Sequence, residues 1–208
     1  MNFLKKFCIA ALLCVPAFVF ADNQAVLDQI EKANASVKTL VTPFTQVKTV
    51  VATGAKKNSA GTLYYRANNC MAQHYTQPSG ECFVINANKI YMVRNGKKMH
   101  FDASKNAPMR ALSNTLLYCI QGKIRTLSAE NNAEISVSSD AKHNIVTLTA
   151  KKKVARGYKK IVLRYNKVDG RLHSMQMDEF TGNSTLYTMT DYKLNGTIDA
   201  SVFAIPAK

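Results

Sequence analysis

Between Gly61 and Asp102, apolar and polar residues fall into short runs bounded by turn formers: GTLYYR (61–66), MAQHY (71–75), ECFVIN (81–86), KIYMVR (89–94) and KKMHFD (97–102). Each run has the length and composition of a strand. Asn95-Gly96, between the last two, suits a two-residue type I′ hairpin, while Pro78 and Gly80 supply the backbone angles of a longer connection. The runs are apolar on both faces. Leu63 and Tyr65 oppose Tyr64, Phe83 and Ile85 oppose Cys82 and Val84, and Ile90 and Met92 oppose Tyr91 and Val93. A strand with one wet face alternates apolar with polar, so this sheet is expected to be covered by something or to hold something apolar.

Elsewhere the period changes. Val26, Leu27, Ile30, Ala33, Val37 and Leu40 recur at helical spacing and predict an amphipathic helix from Asp22 to about Lys38. After Pro43, Phe44 to Val51 alternates as a strand, and residues 54–59 read as a loop. Met109 to Lys123 is predicted helical, with Leu112, Leu116, Cys119 and Ile120 on one face and Gly122 as its stop. Strands follow at Ala133–Ser138, Asn144–Ala150, Lys159–Asn166, Leu172–Asp178 and Ser184–Lys193, with His173, Met175 and Met177 assigned to one face. The sum is about ten or eleven strands in meander order with two helical segments. It predicts an α+β fold, mainly β: a large curved antiparallel sheet or unclosed β-barrel that helices fill or cover.

The chain opens with a basic stretch ending at Lys6, an apolar run from Phe7 to Phe20 and a cleavage pattern at Val19-Phe20-Ala21. That is a secretory signal peptide over residues 1–21, cut after Ala21, since the run is shorter than the roughly 20 residues of a spanning helix. Residues 22–208 form a single exported, soluble domain. The formal net charge of the whole chain is +15. The leader takes Lys5 and Lys6 and no acid, so the rest stays strongly basic. Without interleaved aromatic and basic residues there is no platform for nucleic acid. Anionic lipid or an acidic protein surface is the expected counterpart, with a plainly solvated surface as the alternative. Lys151, Lys152, Lys153 and Arg156 gather at one hairpin tip and are the candidate docking residues, against the reading of a solvated turn.

Cys70, Cys82 and Cys119 remain after the leader is removed. A hairpin centred near Pro78 holds Cys70 and Cys82 well over about 10 Å apart, beyond disulfide reach, which leaves a pair with Cys119 or no disulfide. The four histidines form no HExxH, and no Cys-x-x-Cys or Gly-x-Ser-x-Gly occurs. Asp178 and Glu179 are neighbours on a strand and point to opposite faces. The chain is read as a binding protein rather than an enzyme, with no cofactor and no metal. Tyr64, Tyr65, Met71, Tyr75, Phe83, Tyr91, Met92, Met99 and Phe101 crowd into one stretch. Part of them belong to an ordinary core, yet a Met-rich apolar surface also adapts to ligands of variable shape.

Phe44-x-Gln46, Gly61-x-Leu63-x-Tyr65, Tyr75-x-x-Pro78, the Asn-Gly hairpin and the ending from Tyr192-Lys193-Leu194-Asn195 through Ile198 to Phe203 together resemble the periplasmic outer-membrane lipoprotein carriers (LolA-type). The resemblance runs from about Val26 to Phe203. It implies an unclosed barrel with a helical lid over an apolar cavity. It also implies a periplasmic monomer that receives lipoproteins from an inner-membrane release complex and delivers them, acyl chains shielded, to an outer-membrane receptor. The alternative is a periplasmic binder, transporter or sensor for another amphiphile: a glycolipid, a fatty acid or a lipid-like pigment. One departure falls at Asn69 to Tyr75, where the Arg that helps control the family's lid has Ala72 or Gln73 in its place. The expected cavity lining is Leu63, Tyr65, Phe83, Ile85, Tyr91, Val93 and Phe101 from the sheet, with Leu112, Leu116 and Ile120 from the helix. Strand parity is left open.

Overall fold

The chain passes from helix α1 (Ala17–Ala35) into a six-strand meander: β1 (Thr39–Val50), β2 (Ala55–Arg66), β3 (Cys70–Gln77), β4 (Ser79–Asn86), β5 (Lys89–Arg94) and β6 (Lys97–Asp102). Helices α2 (Ala107–Gln121) and α3 (Ile124–Glu130) follow. A second meander then runs through β7 (Ala133–Ser139), β8 (His143–Ala150), β9 (Tyr158–Asn166), β10 (Leu172–Glu179) and β11 (Ser184–Met189) to the two-residue β12 (Lys193–Leu194) and a 3-10 turn at Ala200–Phe203. The computed structural model describes residues 17–154 and 157–207, with side chains from Asn23 onward. Of the leader predicted over residues 1–21, residues 1–16 lie outside the described residues and residues 17–21 belong to α1.

The strands form one antiparallel sheet in the order β6-β5-β4-β3-β2-β1-β11-β10-β9-β8-β7, with β12 on β1. The two meanders meet at β1 and β11, and the edges β6 and β7 do not pair. The barrel is therefore unclosed, as the sequence predicted. The connection between those two edges is the α2–α3 segment, so the chain's own topology carries the helices across the opening.

Local chemistry explains most elements. Asn95 and Gly96 take φ of 50° and 71°, the left-handed pair a type I′ turn requires. Asn106 caps α2 by accepting a bond from the Met109 amide at 3.1 Å, and Gly122 closes it with φ 68°. Gly61 lies beside a bulge in β3, where a Cβ would stand 2.2 Å from the His74 carbonyl oxygen. Only glycine lets the two strands approach there.

Several boundaries differ from the sequence expectation. Strand β2 begins at Ala55 within the stretch read as a loop, and Ala55 to Asn58 are exposed. With no buried face those residues carry no alternation; their backbone pairing with β1 makes the strand. Leu40, counted in the first helix's stripe, belongs to β1. Helix α3 was not predicted, because it has 7 residues and buries only Ile124 and Leu127. A register shift between Leu172 and Ser174 turns His173 away from Met175 and Met177 to stack on His143, with ring centroids 4.8 Å apart.

The two-sided apolarity of β2–β5 has two covers. Leu63, Tyr65, Phe83 and Ile85 share one buried cluster with Leu27 and Ile30 of α1 and Leu116, Leu117 and Ile120 of α2. Cys70, Ala72, Val84 and Tyr91 form a separate cluster on the other face, under Phe203 of the C-terminal segment. That segment is fastened by Asn86 Nδ2 donating to the Phe203 carbonyl at 3.1 Å and by the Arg66 guanidinium 4.7 Å over the Phe203 ring.

Candidate functional site

The space between sheet and helices is nearly filled. A cavity of about 150 Å³ is bounded by β1, β3, β4, β5, β9, β10, β11 and α2. Leu112, Tyr158 and Glu179 border both this cavity and an outer recess of about 400 Å³ at the start of α2, so the two adjoin. Ligand pockets for drug-sized molecules begin near roughly 300 Å³. The inner cavity is half that, and an acyl chain enters only if α2 moves.

The predicted lining divides into four groups. Phe83, Leu112 and Leu116 border the cavity. Leu63, Tyr65, Ile85 and Ile120 are buried in the core around it, and Phe101 packs against that core from the edge strand β6. Tyr91 and Val93 do not belong to the set: they face the opposite side, beneath Phe203, because strand parity sends Ile90 and Met92 inward. Among the candidate docking residues, Lys151, Lys152 and Lys153 are exposed after β8, and Arg156 lies outside the described residues. The three cysteines are free. Cys82 stands opposite His74 and Cys70 opposite Asn86, four rungs apart, as the hairpin argument required.

Part of the wall is polar, which the sequence reading missed. Gln46, Gln73, Tyr75, Arg94 and Tyr187 line the cavity with Phe83, Met92 and Met177. Gln46 Nε2 donates to the Tyr187 hydroxyl, and the Tyr75 hydroxyl reaches Gln46 Oε1 at 3.5 Å and Gln73 Oε1 at 3.4 Å. Gln73 is 2% exposed, and its Nε2 has no partner among the described residues. A donor buried in that way costs about 1–3 kcal/mol. Burial raises the pKa of Tyr75 and holds that of Tyr187 well above the ordinary phenol value, while burial and then Glu179 push Tyr158 up to about 12. All three are neutral hydrogen-bond donors at any physiological pH. The available signal was a polar residue at an inward position: Gln46 follows Leu40, Thr42 and Phe44 in parity, and Gln73 lies between Met71 and Tyr75.

The helical cover is held by polar contacts at its ends. Tyr165 in β9 donates to the Cys119 carbonyl at 2.8 Å, and Gln121 Nε2 donates to the Tyr65 hydroxyl at 3.2 Å. Arg125 of α3 grips α1 through Asp28 at 2.7 Å and Glu31 at 2.9 Å. Of the two residues standing where the family's lid arginine is expected, Ala72 faces the C-terminal segment and Gln73 faces the cavity. Among the described residues no group of three or more His, Cys, Asp or Glu side chains is placed to hold a metal ion.

The sheet stays open between β6 and β7, and helices cover one of its faces over a small cavity. The sequence matches the family model described as outer membrane lipoprotein carrier protein LolA over residues 35–206, and the chain belongs to that family. Among solved structures, MucB aligns with a TM-score of 0.54 at 11% identity, covering 90% of this chain and 64% of that one. A DUF1329 family protein from Desulfovibrio piger aligns at 0.50 and 9% identity, with 89% and 97% covered. A LolA superfamily protein from Nitrosomonas europaea gives 0.43 and 10% identity, with 88% and 97% covered. At such identities the likeness is one of fold. No curated protein matches the sequence. The family makes this chain one of a class of lipid- or lipoprotein-binding carriers. No described helix is long and apolar enough to cross a membrane.

Proposed function

We propose that this protein is a periplasmic carrier that shields the acyl chains of lipoproteins beneath α2 and delivers them from the inner to the outer membrane. The observation that carries this reading is the roofed face of the sheet: an apolar interior whose own cavity, about 150 Å³, adjoins a surface recess at the start of α2. Each methylene moved from water into such an interior returns about 0.8 kcal/mol. Lifting α2 offsets part of that return, so cargo is held yet can be released by local opening rather than by unfolding the sheet. The exposed Lys151, Lys152 and Lys153 give a basic tip for docking to an acidic receptor or to anionic headgroups.

The test is release of labelled triacylated lipoprotein from spheroplasts by purified protein. The reading expects a soluble complex with lipoprotein, its loss in Leu112→Asp, and slower delivery but normal uptake when Lys151, Lys152 and Lys153 are all changed to Glu. A protein that never retains acylated lipoprotein under these conditions refutes it. A second reading, a carrier for a different amphiphile, is favoured by the polar wall of Gln46, Gln73, Tyr75 and Arg94.

A further inference from the structure

A cavity meant for acyl chains alone needs no polar wall, yet this one collects donors that the fold leaves unused. Gln73 Nε2 is buried without a hydrogen-bond partner among the described residues, and so is Arg94 Nε, which is ion-paired with Glu81 Oε2 at 3.8 Å. Glu81 accepts from the Asn95 amide at 3.1 Å and from Lys57 at 3.4 Å through Oε1, and turns Oε2 toward Arg94. Tyr75 splits its single hydroxyl proton between two acceptors at long range. Lys48 adds a second cation to the lining. The one acid bordering the space, Glu179, also borders the outer recess beside Tyr158. Phe83, Met92, Leu112, Leu116 and Met177 complete the lining as an apolar path toward that recess.

Unpartnered donors around an empty volume define what would satisfy them: a planar acceptor carrying negative charge. A guanidinium with an amide donor beside it matches a carboxylate in shape and charge. The volume of about 150 Å³ suits a compact head group with the first few methylenes. Resting on the reading of the interior as an acyl-chain carrier, we propose that the Gln73–Arg94 end of the cavity is a head-group site, and that the protein binds carboxylate-headed amphiphiles, fatty-acid anions, with the chain running under α2.

Calorimetric titration of the whole chain with dodecanoate, dodecanol and methyl dodecanoate, at mildly alkaline pH, separates head from chain. The expected result is dodecanoate binding at least about tenfold more tightly than the other two, in line with a charge-assisted bond gained. Arg94→Gln and Gln73→Leu are each expected to remove most of that difference. Gln73→Leu removes an unpartnered buried donor and one long bond from the Tyr75 hydroxyl, which keeps Gln46 Oε1 as acceptor. Its melting temperature should therefore hold, which separates loss of the site from loss of the fold. Equal binding of all three probes overturns the head-group site and leaves the acyl carrier standing. A preference that survives both substitutions overturns the assignment to these residues. Binding of none of the three overturns the head-group site, while the carrier reading stands or falls on the lipoprotein-release assay.

Discussion

The hydroxyl of Tyr165, buried near the end of β9, donates a 2.8 Å hydrogen bond to the main-chain carbonyl of Cys119 near the end of α2. It joins the second meander directly to the helix that closes the first, at a last-turn carbonyl that otherwise accepts only a long bond from the Gly122 amide, 3.4 Å. Tyr165→Phe keeps the packing and deletes the bond, at about 1 kcal/mol. Hydrogen exchange is expected to quicken at the α2 amides while those of β9 keep their protection. Equal acceleration in both would mean the bond serves the global fold and not the cover.

Arg125 ties α3 to α1 by two ion pairs, to Asp28 and Glu31, and by a bond to Gln24 Oε1 at 2.8 Å. These groups are partly or largely exposed, so the net contribution is under about 1 kcal/mol and weakens with salt. Arg125→Gln should lower the melting temperature slightly at low salt and not at high salt. It should also raise the binding of an apolar dye as α3 loosens.

Phe203 is 0% exposed and seals Cys70 and Tyr91 on the outer face of the sheet. Phe203→Ala is expected to cost about 3–5 kcal/mol if the segment holds its place, and less if it peels away. Thiol titration distinguishes the sites: Cys70 and Cys82 should become reactive in the variant. Cys119, fully buried on the other side with its thiol pKa pushed well up by burial, should stay silent.

Gly61→Ala places a methyl group against the His74 carbonyl, 2.2 Å away in the present backbone. Strands β2 and β3 must then separate or shift register. The expected loss is about 1–3 kcal/mol, with chemical-shift changes spreading from the β2–β3 ladder. Little or no change in stability would show that the bulge relaxes freely.

Asp140 accepts amide bonds from Lys142 at 2.8 Å and His143 at 2.7 Å and faces the His143 ring, which together hold its pKa down to about 2. A carboxylate with a lower pKa folded than unfolded stabilises the fold above the ordinary aspartate value, and the effect fades as pH falls toward 2. Asp140→Asn should therefore reduce stability at neutral pH and flatten the loss of stability on acidification, measured by denaturant midpoints across the acid range. An unchanged acid slope would assign that slope to other groups.

Local information wrote much of this fold. The strand runs, the Asn95-Gly96 turn and α2 with its Gly122 stop are all visible in the sequence, because each depends on residues within a few positions of one another. The sequence motifs also acquire physical reasons: Gly61 permits the close strand crossing, and Phe44 meets the Tyr75 ring edge-on at 5.2 Å. Strands without a buried face, such as the start of β2, were invisible for the same reason.

What the sequence determined by itself is a chain of two-sided apolar strands with a helical interruption, and that is enough for an unclosed, helix-covered barrel. Which face of each strand belongs to the cavity was decided only in three dimensions. Tyr91 and Phe83 look alike in the pattern, yet one lies under Phe203 and the other under α2. The polar wall is likewise a tertiary product, since Gln46, Gln73, Arg94 and Tyr187 come from four separate strands. With both faces apolar, strand alternation alone is degenerate. The degeneracy is lifted by long-range burial: the α2–α3 connection spans the gap between β6 and β7 on one side, and the C-terminal segment covers the other.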